Sequence, residues 1–416
     1  MIEKYSIGVG DRFGHQGAAQ LRALQQAAKH GVQIVPVWNK SYREHSIVGT
    51  NPANARLAAD NAVKECNWRE SYYVDADHIG LKNVDLFLDS SNFFTLDVAD
   101  FIGKQAADKE IEEFVKSSKK FLAEFPIPGV RTTTTVTEQE LLTIGRKYLF
   151  AVKEAGRIYR HIIEKKGEAN IVAEVSTDEA NEPQSPAQLF FILAGLAQEG
   201  VKVQTIAPKF TGDFLKGIDY VGAVDKFATE FEEDLLVIAQ AVKIFDLPGN
   251  LKLSVHSGSD KFSLYPVIHR AIKKHGAGLH LKTAGTTWLE ELIGLAAAGG
   301  EGLAVAQEVY AAAYARIDEL CKPYETVIRI DRSRLPDPKT VRSWGSEEFT
   351  SALRHNQKDP RYNLHFRQML HIGYKVAAEM GDRYLQMLVK YRDTIGRNVT
   401  ENLFDRHITP LFLGSD

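Results

Sequence analysis

The amino-acid sequence predicts a (β/α)8 barrel, and two observations support this fold. Eight short apolar segments with strand-like character occur within the first 290 residues, and most are followed by a segment with helical spacing. Polar residues able to carry chemistry follow several of these strands directly, at the end where such barrels build their active sites. A doubly wound open sheet is the alternative fold. We expect a barrel over residues 1–300, a helical insertion at about 126–166 and a C-terminal helical cap over 301–416.

The predicted elements follow one another regularly along the chain. Strands are expected at 5–10, 32–37, 72–76, 93–98, 170–176 and 201–207, and two further strands end near His256 and Lys282. Apolar residues at helical spacing predict helices at 18–30, 54–65, 106–125 and 262–275. Thr137 and Glu140 have the spacing of a capping box, which predicts the start of a helix of about thirty residues in the insertion.

The segment 251–261 is the clearest strand and loop. Apolar and polar residues alternate over 251–256, which is the period of a half-buried strand, and the strand ends on His256. The polar loop after it supplies three candidates for substrate binding, Ser257, Asp260 and Lys261. The next strand repeats the alternation, so it is expected to point His280 into the barrel as well.

Composition limits the possible partners. Lys and Arg number 51 and Asp and Glu 54, so the formal net charge of −3 provides no basic field for nucleic acid or an anionic membrane. No apolar run approaches the ~20 residues of a transmembrane helix, and the charged N-terminus does not resemble a signal peptide. Cys66 and Cys321 are far apart and are expected to be reduced. We therefore expect a cytoplasmic protein that binds a small molecule, with oligomer formation left open.

Five side chains at the predicted strand ends can act together. They are Asp77, His78, Glu174, His256 and His280. One histidine at a strand end is more often structural, but three in one barrel favour a single divalent cation, such as zinc, manganese or iron, with an open coordination position. The two carboxylates are then candidates for proton transfer. Asp75 lies on the same strand face as Asp77 and is its rival.

Basic residues at the strand ends predict an acidic substrate. Arg12, Lys209, Lys261 and Lys282 are candidates for holding an anion, because each follows or ends a predicted strand. A Schiff-base role for Lys209 or Lys282 is the alternative. In the C-terminal region, a polar group either reaches the barrel opening or forms a solvated surface; it comprises His355, Asn356, Arg361, Asn363 and His365.

Five motifs resemble the tagaturonate/fructuronate epimerase family and, more distantly, the class II metal-dependent aldolases. They are GVGDRFG (Gly8–Gly14), VDADHIG (Val74–Gly80), AEVSTDE (Ala173–Glu179), SVHSGSDKFSLYP (Ser254–Pro266) and LHLKTAGTTW (Leu279–Trp288). The resemblance spans most of the predicted barrel, and SVHSGSDKF is its most specific part.

The resemblance implies a metal-dependent isomerase that interconverts two keto-hexuronates. It further implies His78, His256 and His280 as metal ligands, Asp77 as proton acceptor and Glu174 as proton donor. Asp178 and Glu179 are alternatives to Glu174, which is selected over them by strand phase alone. Two other functions stay open. An aldolase acting on a keto sugar or sugar phosphate would use HSGSDK as a phosphate-binding loop, and a non-catalytic sugar-acid binder would not need three inward histidines.

Overall fold

A closed barrel of eight parallel strands forms the centre of the molecule. The computed structural model describes residues 1–122, 127–133, 135–283 and 285–414. The strands are β1 (Tyr5–Val9), β2 (Val35–Ser41), β3 (Tyr73–Ile79), β4 (Phe93–Asp97), β5 (Val172–Ser176), β6 (Val203–Ala207), β7 (Lys252–His256) and β8 (Leu279–Lys282). Each strand pairs with the next in sequence, and β1 closes the barrel on β8. The predicted barrel is therefore confirmed, and the open-sheet alternative is not what the chain forms.

Helices follow the strands; those predicted at 18–30, 54–65 and 262–275 lie within three residues of the predicted bounds, whereas the helix predicted at 106–125 ends at Ser118. These helices are α1 (Gly17–Lys29), α2 (Tyr42–Val48), α3 (Pro52–Glu65), α4 (Asp108–Ser118), α5 (Glu138–Lys166), α6 (Pro186–Gln198), α7 (Val224–Phe245), α8 (Tyr265–His275) and α9 (Thr286–Ala298). The expected capping box opens α5, because the Thr137 hydroxyl accepts from the Glu140 N–H and the Glu140 carboxylate accepts from the Thr137 N–H. Residues 123–126, where the predicted insertion begins, lie outside the described residues.

Helix α5 belongs to the ring of helices around the barrel. It contacts β4 on its inner side and lies between α4 and α6. Its apolar face is continuous with the barrel core through residues such as Leu149, Val152 and Ile158. The segment predicted as an insertion thus contains the helix that connects β4 to β5, and α4 packs against it.

The chain after α9 is helical and forms a second apolar core. Its helices are α10 (Gly300–Ala315), α11 (Ile317–Cys321), α12 (Pro338–Ser343), α13 (Ser346–Leu353), α14 (Leu364–Ile372), α15 (Tyr374–Glu379), α16 (Asp382–Lys390), α17 (Arg392–Glu401) and a π-helix over Asn402–Leu413. Trp288 of α9 is buried in this core, where its ring packs against Phe13 and Tyr384. No helix in the described part of the chain combines the length and apolarity needed to cross a membrane.

The barrel interior changes from apolar to polar along its axis. A small cluster near the amino-terminal ends of the strands contains Ile2, Val35, Val37, Phe93 and Val172. Towards the carboxyl ends the side chains on the same strand faces are acidic, basic or imidazole groups, nearly all buried. The chemistry of the molecule is therefore concentrated at the carboxyl end of the barrel, as expected for this fold.

Candidate active site at the carboxyl end of the barrel

One ammonium group joins three carboxylates inside the barrel. The Nζ atom of Lys282 lies 2.6 Å from Asp77 Oδ1 and 2.9 Å from Asp75 Oδ2. It also lies 3.5 Å from Glu174 Oε1 and donates to Thr95 Oγ1 at 2.9 Å. Asp75 and Asp77 both reach it because residues two apart on a strand share one face. Substrate binding by Lys282 stays a prediction, but its ammonium is already occupied by carboxylates.

Lys282 decides which of these carboxylates stay charged. Burial would raise the pKa of Asp77, but Lys282 and the imidazoles of His78 and His256 together outweigh burial and hold that pKa below its ordinary value. Lys282 and then His256 likewise hold the pKa of Glu174 well below its ordinary value against burial. At Asp75 the effect of burial exceeds that of Lys282, and the pKa of this carboxyl rises to about 7. Asp77 and Glu174 are therefore ionised at neutral pH.

His78 faces the same opening as Asp77, although adjacent strand residues normally face opposite sides. Its backbone has φ +53°, and the pairing of β3 with β4 changes register between Ala76 and Ile79. The resulting bulge brings its Nε2 within 3.7 Å of Asp77 Oδ1 and its Nδ1 within 3.3 Å of Asp97 Oδ2. Burial opposes protonation of His78, but Asp77, Asp97 and Asp178 together outweigh burial and raise the pKa of the imidazole to about 10.

A second imidazole completes a group that we call the candidate cation cluster, consisting of His78, His256 and Asp178. His256 Nε2 lies 2.7 Å from Glu174 Oε1, and His256 Nδ1 lies 3.1 Å from Asp178 Oδ2. The two imidazole rings are 5.6 Å apart between centroids. Each member offers one ligand atom, and these atoms lie within 4.8 Å of one another. Against the effect of burial, Asp178 and Glu174 raise the pKa of His256 to about 9.

The structure does not bring His280 into this cluster. His280 pairs with Ser254 across β7 and β8, whereas His256 pairs with Lys282 two residues further along. His280 therefore lies one layer deeper, where its Nδ1 is 2.9 Å from Ser6 Oγ. Burial lowers the pKa of His280 to about 3, so its imidazole is neutral.

The loop after β7 is buried and has mainly internal partners. Ser257 Oγ donates to the Lys282 carbonyl at 2.9 Å. Lys261 Nζ donates to the Leu215 carbonyl at 3.1 Å and to Ser259 Oγ at 3.2 Å, and burial lowers the pKa of this ammonium to about 7. Substrate binding by Ser257 and Lys261 stays a prediction, with both groups engaged inside the protein.

Asp260 connects this loop to the C-terminal helices. Its Oδ2 lies 2.7 Å from Arg367 Nη2 and 3.1 Å from His355 Nδ1, and its Oδ1 lies 3.3 Å from His407 Nε2. Thr286 Oγ1 donates to Oδ1 at 2.7 Å. Burial opposes ionisation of Asp260, but Arg367 and the imidazoles outweigh burial and hold its pKa well below the ordinary value.

The polar group predicted in the C-terminal region divides between the two alternatives. His355 reaches the barrel loop through Asp260. Arg361 is exposed and pairs with Asp359 and Glu347, while Asn363 caps α14 through its side-chain oxygen. Only part of this group therefore lies near the barrel opening.

Arg12 and Lys209 also lie at the carboxyl ends of strands. Arg12 Nε is 3.2 Å from Glu44 Oε1, and its guanidinium stacks over the Tyr374 ring at 4.3 Å. Its Nη1 is buried without a hydrogen-bond partner in the described part of the chain. The backbone N–H of Lys209 donates to Gln184 Oε1 at 2.6 Å. Roles of Arg12 and Lys209 in substrate binding stay predictions.

Asp178 was predicted from the sequence as a candidate for proton transfer and not as a metal ligand. It follows β5 by two residues, and Ser176 Oγ donates to its Oδ1. The AEVSTDE motif placed an acid at this strand end, but alternation cannot say where a loop residue points. Thr205, which donates to Glu174 Oε2 at 2.8 Å, was not identified from the sequence.

These features define a class of protein: a (β/α)8 barrel enzyme with buried carboxylates and paired imidazoles at the carboxyl end of its strands. The sequence model of the tagaturonate epimerase family, UxaE, matches residues 1–411, and the chain therefore belongs to this family. The family resemblance seen in the sequence motifs is confirmed. The family places the chain among the isomerases rather than the aldolases or non-catalytic binders.

Known relatives agree with this assignment over nearly the whole chain. The tagaturonate/fructuronate epimerase of Thermotoga maritima is 25% identical over 417 residues, covering 97% of this chain and 80% of the relative. The fructuronate-tagaturonate epimerase of Cohnella laeviribosi in complex with two glycerols has a TM-score of 0.80 and 24% identity, covering 99% of this chain and 82% of that one. The native structure of the same enzyme has a TM-score of 0.77 at 24% identity, covering 98% and 81%. The solved structures share the fold.

Proposed function

We propose that this protein interconverts tagaturonate and fructuronate. Family membership supports this activity. The observation that carries the proposal is the position of two ionised carboxylates, Asp77 and Glu174, on one ammonium beneath a pair of imidazoles. The substrate is then a small acidic sugar. Cytoplasmic location and oligomer formation stay predictions.

The chemistry requires groups of this kind. The inverted carbon carries a hydroxyl two bonds from the ketone, and only the carbon next to a ketone is acidified. Direct deprotonation is therefore difficult. Retro-aldol cleavage and closure on the other face of the same fragment avoids this difficulty. It needs a base for the hydroxyl proton, a second acid–base group and stabilisation of the negative charge that develops.

The donor set of the candidate cation cluster fits a divalent cation. His256 Nδ1 and Asp178 Oδ2 lie 3.1 Å apart, yet Nδ1 has no aligned hydrogen-bond partner in the described chain. We propose that His78, His256 and Asp178 hold the ion. An ion bound there would act as a Lewis acid towards the substrate ketone and hydroxyl.

Asp77 and Glu174 have the complementary task of moving protons. Asp77 is ionised, so it is suited to accept the hydroxyl proton. Glu174 is also ionised, so as the proposed second group it takes up a proton before delivering one. The Lys282 ammonium forms an ion pair with both carboxylates, so protonation of one carboxylate strengthens its interaction with the other.

Product analysis tests the proposed function. Metal-loaded protein incubated with tagaturonate is expected to yield fructuronate, followed by carbon NMR, and chelator-treated protein is expected to yield none. Three-carbon products released into solution would identify an aldolase. Unchanged tagaturonate with demonstrable binding would identify a sugar-acid binder.

The ligand set is tested by metal analysis of two matched variants. We expect His256→Ala to lose most of its bound metal after dialysis, because His256 belongs to the candidate cation cluster. His280→Ala is expected to keep its metal, because His280 lies one layer deeper on Ser6. Elemental analysis of both variants measures this. Full metal in His256→Ala would exclude it as a ligand, and equal losses in the two variants would restore the three-histidine set.

A further inference from the structure

Most cations around the barrel opening already have partners inside the protein. Lys282 is surrounded by carboxylates, and Arg367 pairs with Asp260. Lys40 Nζ donates to the Arg12 carbonyl at 2.7 Å and to Thr50 Oγ1 at 2.8 Å. Such groups hold the structure together and leave little capacity for an external anion.

Lys216 differs from these cations. It lies between β6 and α7, at the carboxyl end of the barrel. Its backbone N–H donates to the Val327 carbonyl at 2.8 Å, and its carbonyl accepts from Gln368 Nε2 at 3.0 Å. Both partners belong to the C-terminal helical region, so the residue is held in place by its main chain.

The Lys216 side chain extends over the loop that follows β7. A Cβ atom at Gly258 would lie 3.1 Å from Lys216 Nζ and 3.5 Å from its Cδ, and Gly258 has φ +66°. Gly258 is two residues beyond His256, so the ammonium is next to the candidate active site. In the ranges that the structure describes, Nζ has no hydrogen bond and no ion pair. Burial and then the charge of Arg43 lower the pKa of this ammonium.

Two further side chains, His371 and Arg12, carry a buried nitrogen without a hydrogen-bond partner in the described residues, and the charges of Arg12 and Lys216 both act on His371. His371 packs close to Gly217, because a Cβ atom added at Gly217 would lie 3.3 Å from His371 Cβ. The buried Nε2 of His371 has no hydrogen-bond partner in the described residues. Burial, followed by the charges of Arg12 and Lys216, holds the pKa of His371 well below its ordinary value, so this imidazole is neutral. Arg12 adds the unpartnered Nη1 atom described above.

The acidic groups near Lys216 do not neutralise it. Glu44 is the partner of Arg12, and Asp178 belongs to the candidate cation cluster. Glu179 is exposed and acts on Lys216 only through the longer-range field. One ammonium, one guanidinium nitrogen and one neutral imidazole therefore remain available at the edge of the site, a set that suits a singly charged carboxylate.

We propose that Lys216, with Arg12 and His371 beside it, binds the carboxylate of the acidic sugar substrate. This inference rests on the proposed function, and it assigns substrate charge recognition to a residue that the sequence analysis did not select. The carboxylate takes no part in the bond that breaks and re-forms, so this contact is expected to contribute similarly to the ground state and the transition state. It controls affinity for acids rather than the rate of the chemical step.

The test compares Lys216→Met with wild type in two measurements. KM for tagaturonate is expected to rise about 10- to 100-fold in the variant with kcat changed little, since the variant loses one charged hydrogen bond. Calorimetric binding of D-gluconate, an acid sugar without a ketone, is expected to weaken by a similar factor. Lys216→Arg is expected to recover much of both, and D-glucitol, the neutral counterpart, is expected to show no dependence on Lys216.

Controls separate this subsite from the proposed function. Lys202→Met changes an exposed lysine just before β6, at the other end of the barrel, and is expected to leave both measurements unchanged. Wild type that binds gluconate through Lys216 without converting tagaturonate would overturn the function and support the subsite. The subsite would be overturned if Lys216→Met kept the KM and the gluconate affinity of the wild type. It would also be overturned if the wild type did not bind gluconate. Dependence on Lys216 for inorganic phosphate but not gluconate would also overturn it.

Discussion

Replacing Asp77 by asparagine is expected to lower kcat by ~10²–10⁴-fold, the usual contribution of one positioned acid–base group. The amide keeps the shape of the side chain but cannot accept the hydroxyl proton. KM and metal content are expected to change little, because Asp77 lies beside the candidate cation cluster rather than in it. Steady-state kinetics with tagaturonate and elemental analysis measure these effects.

Matched variants show whether the loss is specific to Asp77. Asp85→Asn changes an exposed aspartate in the segment after β3 and is expected to keep normal turnover. Glu174→Gln is expected to be impaired as well, and the double variant only slightly more than either single, since groups serving one reaction are not additive. Normal kcat in Asp77→Asn would remove it from proton transfer.

Replacing Asp260 by asparagine is expected to lower the free energy of unfolding by about 3–5 kcal/mol, the cost typical of breaking a buried ion pair. Asp260 and Arg367 are both fully buried and 2.7 Å apart, so the variant leaves an uncompensated guanidinium inside the protein. Urea unfolding at pH 7 measures the loss through the midpoint and slope of the transition.

The pH dependence of this loss provides a second check. The pKa of Asp260 is held well below its ordinary value, so its ionised form stabilises the folded state above the unfolded pKa of about 3.9. That stabilisation is lost as pH falls towards the folded pKa, and the difference between wild type and variant is expected to shrink below about pH 4. Asp359→Asn, which weakens a partly exposed pair with Arg361, is expected to change stability little. Equal stability of Asp260→Asn and wild type would show that the buried pair is not needed.

Local patterns predicted the barrel well because each strand is short and flanked by polar loop residues. The largest strand difference is β2, predicted at 32–37 and observed at Val35–Ser41. Its last residues include the polar Asn39 and Lys40, which lie beyond the predicted bounds. They continue the strand because they pair with β3, from Val37 opposite Tyr73 to Ser41 opposite Asp77. Pairing between strands thus overrides the local polarity of one strand.

Alternation also predicted which strand residues face inward, but not how high they lie in the barrel. Asp75 and Asp77 share one face as expected, and both meet Lys282. The depth of His280 depends on the stagger between β7 and β8, which no single strand encodes. The contact between Asp260 and Arg367 joins residues 107 positions apart, so no local pattern could indicate it.

The bulge at His78 places an imidazole beside Asp77 and also makes stability and chemistry compete at one position. A left-handed conformation at a residue with a side chain costs on the order of 1–3 kcal/mol, and glycine would adopt it freely. Any substitution that relaxes this backbone removes the ring that faces His256 and Asp178. The conformational energy at residue 78 is therefore a cost of placing His78 in the candidate cation cluster. A substitution there that raises thermal stability is expected to weaken cation binding.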